Sequence, residues 1–388
     1  VNFCWWAICW SAALAVVTAG GTTAAADVRN GSPAANPRQW WAFQPIERPT
    51  PPGNVGTLTG PEAVDAFLEA ERAEQGLAAA APATRQVLAR RLKFALLGLP
   101  PTPEETAAFV ADRSPEAYRR LINRWLASPH FGEHWGRSWL DVVRYADYHT
   151  PQPDNAMGPG KQGFDYELFE AFRYRDWVIE ALNRDLPYDA FIVHQLAGDL
   201  MPNPTGGELY ADGLIATTVL SIGVWDNGDA DKLKIVSDIV DDQINLVGKA
   251  FLGLSLACAR CHDHKFDPIT QNDYYALAGI FYSTRVLKDV GNVGTHTNAL
   301  RVPLAPSHYL ERRKRQLAQI EKLEQQLQTA DDGLAQQDAS AGQQPSASSV
   351  GQTNDLQAEL QQLKNDLLPA PPTALAALEG ATPGGPFD

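Results

Sequence analysis

Five consecutive residues, Cys258-Ala259-Arg260-Cys261-His262, hold the densest chemistry in the chain. Two thiols three positions apart on a turn can reach both vinyl groups of one porphyrin. A histidine directly after the second thiol then lies beneath the iron as one axial ligand. The same spacing also serves a redox disulfide, but no thioredoxin-like βαβ pattern surrounds this pair. Zinc is the other rival, because Cys258, Cys261, His262 and His264 carry the right donor atoms. His262 and His264 stand so close to Cys261 that convergence of all four is awkward, and no second Cys-x-x-Cys exists. The residues favour covalent haem c at Cys258 and Cys261, with His262 as proximal ligand. A non-haem binding or structural protein outside the cytoplasm, its cysteine pair holding zinc or joined in a disulfide, stays open as the alternative.

Further groups could serve such a centre. His264, Lys265 and Asp267 would lie near the ring edge, where they could tune a potential or carry a proton. Equally, Asp267-Pro268 could cap the next helix, and His264 could bond a propionate or the backbone. Asp141, Arg144 and Asp147 are spaced by three, as on one helix face lining a cleft, and an intrahelical ion-pair ladder explains them as well. His264, Asp267, Asp141 and Arg144 are therefore the catalytic candidates, none with an assigned role. A second axial ligand would come from His130, His134, His149, His194, His296, His308, Met157 or Met201. His130 ranks first, at a helix entry after Ser128-Pro129. With no sixth ligand, an open iron position would favour an enzyme over a carrier. Trp135 and Trp139, at i and i+4, read as core.

These groups must be positioned by helices. Proline at first-turn positions and apolar residues at helical spacing predict a helix from Pro61 and another over 83–97, stopped by Gly98 and Pro100-Pro101. A third starts at Thr102-Pro103-Glu104-Glu105, and a fourth runs from Ser114-Pro115 to Leu126. A fifth spans 131–148. Helices resume over 173–184 and 188–200, while Leu214–Val224 reads as a strand or a buried helix. Val240, Ile244, Val247, Phe251 and Leu254 form one stripe, predicting a helix of about 20 residues that ends just before Cys258. Another helix covers 271–282. Leu310, Leu317, Ile320 and Leu327, then Leu356, Leu360, Leu363 and Leu367, suggest an intramolecular antiparallel coiled-coil hairpin over 301–370, with a flexible connector at 331–353. The expected fold is mainly α, a multi-helix globular domain with that hairpin at its C-terminal side.

Bulk properties narrow the setting. The chain has 388 residues, 44% of them hydrophobic, and a net charge of −14. Such an acidic chain has no electrostatic reason to bind nucleic acid. Residues 1–26 read as a signal peptide, an apolar stretch followed by Ala24-Ala25-Ala26. The run falls short of the roughly 20 residues of a spanning helix, so no transmembrane segment is expected after cleavage. The product is expected to be periplasmic or secreted, with a redox protein as its partner. The remaining organisation is an extended leader over 27–60, a main domain over 61–300 and a tail over 371–388.

Several ordered blocks resemble a planctomycete cytochrome-C-type domain family of unknown function, the PSCyt family of the second type. They include Leu97-Gly98-Leu99-Pro100-Pro101-Thr102-Pro103-Glu104-Glu105, Leu126-Ala127-Ser128-Pro129-His130-Phe131-Gly132-Glu133 and Trp139-Leu140-Asp141-Val142-Val143-Arg144-Tyr145-Ala146-Asp147. Tyr174-Arg175-Asp176-Trp177-Val178, Pro187-Tyr188-Asp189 and Gln195-Leu196-Ala197-Gly198-Asp199-Leu200 continue the match. Cys258-Ala259-Arg260-Cys261-His262-Asp263-His264-Lys265-Phe266-Asp267-Pro268-Ile269 is the most specific block. The resemblance implies a secreted protein, usually with an upstream haem-binding domain and a downstream second domain. On that expectation this chain is a short or truncated member. The resemblance also implies histidine where this chain has Ser138.

Overall fold

The computed structural model describes residues 43–53, 60–147, 170–223, 231–290, 299–341 and 347–385. The expected signal peptide, most of the leader, and His149, Met157 and His296 lie outside them. Twelve α-helices and four short strands make the described part mainly helical, and no described helix is long and apolar enough to cross a membrane. The chain divides into two compact units, Val1–Ile122 with Val247–Gly279, and Asn123–Leu246 with Ile280–Asp388. The main domain expected over 61–300 is thus not one contiguous body.

In the first unit, α1 (Pro61–Glu74), α2 (Arg85–Leu97) and α3 (Pro103–Ala111) start where their residues dictate. Thr84 caps α2 by accepting from the Val87 amide at 3.4 Å. Thr102 and Glu105 form a capping box at α3, with Pro103 in the first turn where its missing N–H costs nothing. Gly98 ends α2 at φ 72°, a left-handed conformation that glycine adopts without strain. Arg85 ties α2 to α3. Its guanidinium donates to the carbonyls of Phe109 (2.6 Å) and Asp112 (2.6 Å) and lies 3.9 Å over the Phe109 ring. Then α4 (Ala117–Leu126) buries Ala117, Leu121 and Trp125, one residue per turn.

In the second unit, α5 (His130–Val142) packs along α6 (Ala171–Asn183). Gly132 and Gly136 permit the approach. A Cβ on Gly132 would overlap the Ile179 carbonyl oxygen and come within 2.8 Å of Asn183 Cγ. Asn183 closes the crossing by accepting from the Gly132 amide (2.8 Å) and donating to the Pro129 carbonyl (2.9 Å). Next comes α7 (Tyr188–Ala197). Its Gln195, wholly buried, accepts from the Tyr174 hydroxyl (2.6 Å) and the Trp139 indole (3.1 Å). The segment expected as strand or buried helix is the latter: α8 (Ala211–Ala216) runs into a 3₁₀ turn, Thr217–Leu220, all buried.

The tail is part of this core. Strand β1 (Thr284–Arg285) pairs with β4 (Leu378–Glu379), and β2 (Arg301–Pro303) pairs with β3 (Thr373–Leu375), both antiparallel. Ala374, Leu375 and Ala376 have no exposed surface. The Thr218 hydroxyl donates to the Leu375 carbonyl (2.5 Å), Ser221 donates to the Ala376 carbonyl (3.1 Å), and the Ala377 amide donates to Thr217 (3.1 Å). Residues 373–379 are thus paired into this unit. The long helices α11 (Ser307–Ala341) and α12 (Ala347–Asn365) pack through Ile320, Leu323 and Leu360, with Leu327, Leu356, Leu363 and Leu367 around them. The connector expected to be flexible over 331–353 is helical over 331–341 and 347–353. Its alanines and glutamines are sound helix formers.

Gly132→Ala is expected to destabilise the protein by about 1–3 kcal/mol, because the obstructing atom is backbone. A lowered midpoint in urea, with Gly333→Ala on exposed α11 unlowered or slightly raised because alanine is the better helix former, checks it.

Candidate functional site

The approach to Cys258 departs from the expected single helix. Helix α9 (Lys232–Val247) gives way to a π-helical turn, Gly248–Leu252, and Gly253 stops it at φ 65°. Gly248 is needed there, because a Cβ would sit 2.8 Å from both the Leu254 carbonyl and Leu256 Cγ. Leu256–Arg260 is then a 3₁₀ turn with Leu256 and Ala259 buried. Inward Ala259 turns the flanking cysteines outward: Cys258 and Cys261 are both free and exposed.

The turn is held by the part of α10 (Gln271–Tyr282) that belongs to the first unit, through Gly279. The Arg260 carbonyl accepts from Gln271 Nε2 (3.1 Å) and the Tyr275 hydroxyl (3.2 Å). Asp263 accepts from the Gln271 amide at 2.8 Å. Thr270 and Asp273 cap the helix reciprocally, the Thr270 amide donating to Asp273 (2.7 Å) and the Asp273 amide to Thr270 (3.2 Å). Asp267 therefore does not cap α10, contrary to its expected structural role.

The two histidines of the motif differ sharply. His262 is exposed, with Nδ1 2.8 Å from the Asp263 carbonyl. A carbonyl only accepts, so Nδ1 carries a proton, and in the neutral ring Nε2 is the nitrogen with the lone pair. His264 is buried, and its Nδ1 accepts from the amides of Phe266 (3.2 Å) and Asp267 (2.8 Å). Its own amide donates to the Ile269 carbonyl (2.8 Å). That ring is neutral with its proton on Nε2. The Asp267 carboxylate at 3.5 Å thus faces a hydrogen-bond acceptor, not a cation. His264 organises the loop behind the motif. Among the described residues no group of three or more His, Cys, Asp and Glu is arranged to hold a metal ion. The motif presents two exposed thiols and, beside them, the exposed His262 ring.

The other candidates fall in the second unit. His130 is exposed, with Nδ1 2.7 Å from Glu133 in the first turn of α5. His194 is fully engaged, Nδ1 bonding the Ala190 carbonyl (2.6 Å) and Nε2 the Tyr210 hydroxyl (2.8 Å), so it offers no lone pair. Asp141, Arg144 and Asp147 do not share a helix face. Helix α5 ends at Val142, and Arg144 adopts φ 60°. Arg144 instead reaches Asp242 at 2.6 Å, and Asp147 accepts from Tyr145 at 2.5 Å. Burial first, then that bond to Asp147, push the Tyr145 phenol well above its ordinary value. The ion-pair ladder is overturned with the shared face.

Sequence reading missed a second feature. Trp135, Ser138, Trp139 and Val142 line an open cavity with residues of α7 and of the turn before it. The i, i+3, i+4, i+7 spacing was the available signal, yet Trp135 is 45% exposed, not core.

Together the fold and site define a mainly helical protein that presents Cys-x-x-Cys-His on an exposed turn. The chain belongs to the PSCyt2 family, described as a protein of unknown function (DUF1549), which it matches over residues 63–286. No curated protein and no solved structure matches it.

Replacing His264 by Ala leaves the Phe266 and Asp267 amides without their acceptor, at a cost of about 1–3 kcal/mol. His264→Asn, whose Oδ1 stands near the place of Nδ1, is expected to recover much of the loss. Amide hydrogen exchange at Asp267 reads this directly, fast in the Ala variant and slowed again in the Asn variant.

Proposed function

We propose that this chain is an exported c-type haem protein of the cell envelope, serving electron transfer or haem-dependent oxidoreduction. The observation that carries this reading is the pairing of two free, exposed thiols with a histidine whose Nδ1 is held by the Asp263 carbonyl. In that arrangement Cys258 and Cys261 attach the ring, and His262 offers Nε2 to the metal. Haem c, once attached, supplies one-electron chemistry at its iron, tuned by axial ligand, hydrogen bonding and burial.

The chain's own residues do the positioning. Asp263 fixes the His262 tautomer through its backbone carbonyl, a support that orients a ligand ring and raises its basicity. Gln271 and Tyr275 hold the Arg260 carbonyl and so the pitch of the turn. His264 keeps the following loop closed with both ring roles decided, and is a positioning residue in this reading. The redox partner is a protein outside the cytoplasm, reached after cleavage of the signal peptide at 1–26. We assign α11 and α12 to the antiparallel coiled-coil hairpin. Opposed contacts support this: Tyr309 with the Pro369 carbonyl (2.9 Å), Arg313 with Leu368 (3.1 Å) and Lys364 with Glu324 (2.7 Å).

The test is export of the full chain in a host with cytochrome c maturation machinery. The purified protein is expected to gain the mass of one haem and to keep its visible absorption in denaturant. Cys258→Ser with Cys261→Ser should abolish attachment, and His262→Ala should change the spectrum of whatever haem is bound. An unmodified mass, with the two sulfurs joined in a disulfide or holding zinc, overturns the reading.

A further inference from the structure

Within the second unit, α5 and α7 enclose an open cavity of about 480 Å³, inside the range of small-molecule sites, roughly 300–1,000 Å³. Trp135 and Trp139 come from one stripe of α5, and Tyr188 and Phe191 come from α7. Trp135 is 45% and Tyr188 58% exposed, so large aromatic surfaces stand in water at the mouth. Phe191 is fixed beneath them, edge-on to Trp139 (5.0 Å between centroids) and stacked on Trp177 (5.3 Å). The walls are thus rigid aromatic faces with one end open.

Among the described residues a single charged side chain lines this cavity, Asp185, in the turn between α6 and α7. It adopts φ 53°, a left-handed conformation that aspartate and asparagine tolerate better than most residues. Its amide is used locally, donating to the Leu182 carbonyl at 3.1 Å. Its carboxylate makes no hydrogen bond or ion pair among the described residues. The adjacent cation, Arg184, turns instead to Asp212 at 3.2 Å. The cavity therefore combines aromatic faces with one carboxylate that has no cationic partner among the described residues.

The chemistry of an occupant follows by elimination. An anion would face the Asp185 carboxylate and the field of a chain with net charge −14. A neutral apolar molecule would fill the walls but strip water from an unpaired carboxylate. A metal ion or small ammonium is strongly hydrated, and the loss of that hydration offsets most of what indole faces offer it. A bulky organic cation, with diffuse charge and an apolar body, satisfies both features, because ring quadrupoles attract such cations and little hydration is lost.

We propose that the cavity between α5 and α7 binds an organic cation of the substituted-ammonium class, its charge against Asp185 and its apolar body on Trp135 and Trp139. This site is independent of the Cys-x-x-Cys-His motif and stands whether or not haem is attached. The probe is benzyltrimethylammonium, titrated into the full chain by calorimetry, with indole fluorescence as a second reading. Benzyl alcohol and benzenesulfonate are the neutral and anionic comparators. The cation is expected to bind and to quench fluorescence, benzyl alcohol to bind more weakly, and benzenesulfonate not at all. Asp185→Asn, compatible with the left-handed backbone, should weaken cation binding about tenfold, the scale of one partly wet charge contact, and leave benzyl alcohol unchanged. Benzyl alcohol or benzenesulfonate binding as tightly as the cation overturns the proposal. So does an unaltered cation affinity in Asp185→Asn, or no cation binding at millimolar concentration. Should Asp185→Asn fail to fold, the three-probe comparison on the parent chain still decides.

Discussion

Irregular backbone survives inside a protein only where side chains supply the partners that a helix or sheet would have given. Both units rest on that constraint. In the first, His264 accepts two amides, while Gln271 and Tyr275 converge on the Arg260 carbonyl. In the second, Thr217, Thr218 and Ser221 receive the backbone of 375–377. His264, Thr217, Thr218 and Ser221 are buried polar side chains whose partners are backbone groups of a neighbouring stretch. The exposed turn at Cys258–His262 is a product of this arrangement, since it is anchored from behind and its reactive atoms are left free.

That division between anchoring and reactive groups also separates two histidines that lie two residues apart. His262 spends one nitrogen on its neighbour's carbonyl and keeps the other. His264 is turned inward and is consumed by the backbone. A ligand count taken from composition would treat them alike. Their hydrogen bonds do not, because an acceptor nitrogen occupied by two amides has no lone pair left on that side.

Local signals made much of the fold legible. Helices α2 and α3 begin at Thr84 and Thr102 because those residues cap, and α10 spans the range its sequence suggested. The motif was legible for the same reason, being contiguous. What stayed hidden depends on backbone conformation that no breaker residue marks. Helix α5 stops before Arg144, where neither proline nor glycine stands, so Asp141, Arg144 and Asp147 were wrongly placed on one face. The stripe from Val240 to Leu254 ran on by periodicity, while the chain itself loosens into a π turn at Gly248. The strand pairing of 373–379 and the cavity beside Asp185 were invisible because their partners are distant in sequence. Exposed Trp135 is indistinguishable from a core residue until its surroundings are known.

The pairing of Thr217, Thr218 and Ser221 with residues 155 to 160 positions later has a kinetic corollary. Until the later segment is synthesised, the Thr218 and Ser221 hydroxyls lack the carbonyl partners they have in the folded chain. Such distant closure slows folding and prolongs that interval.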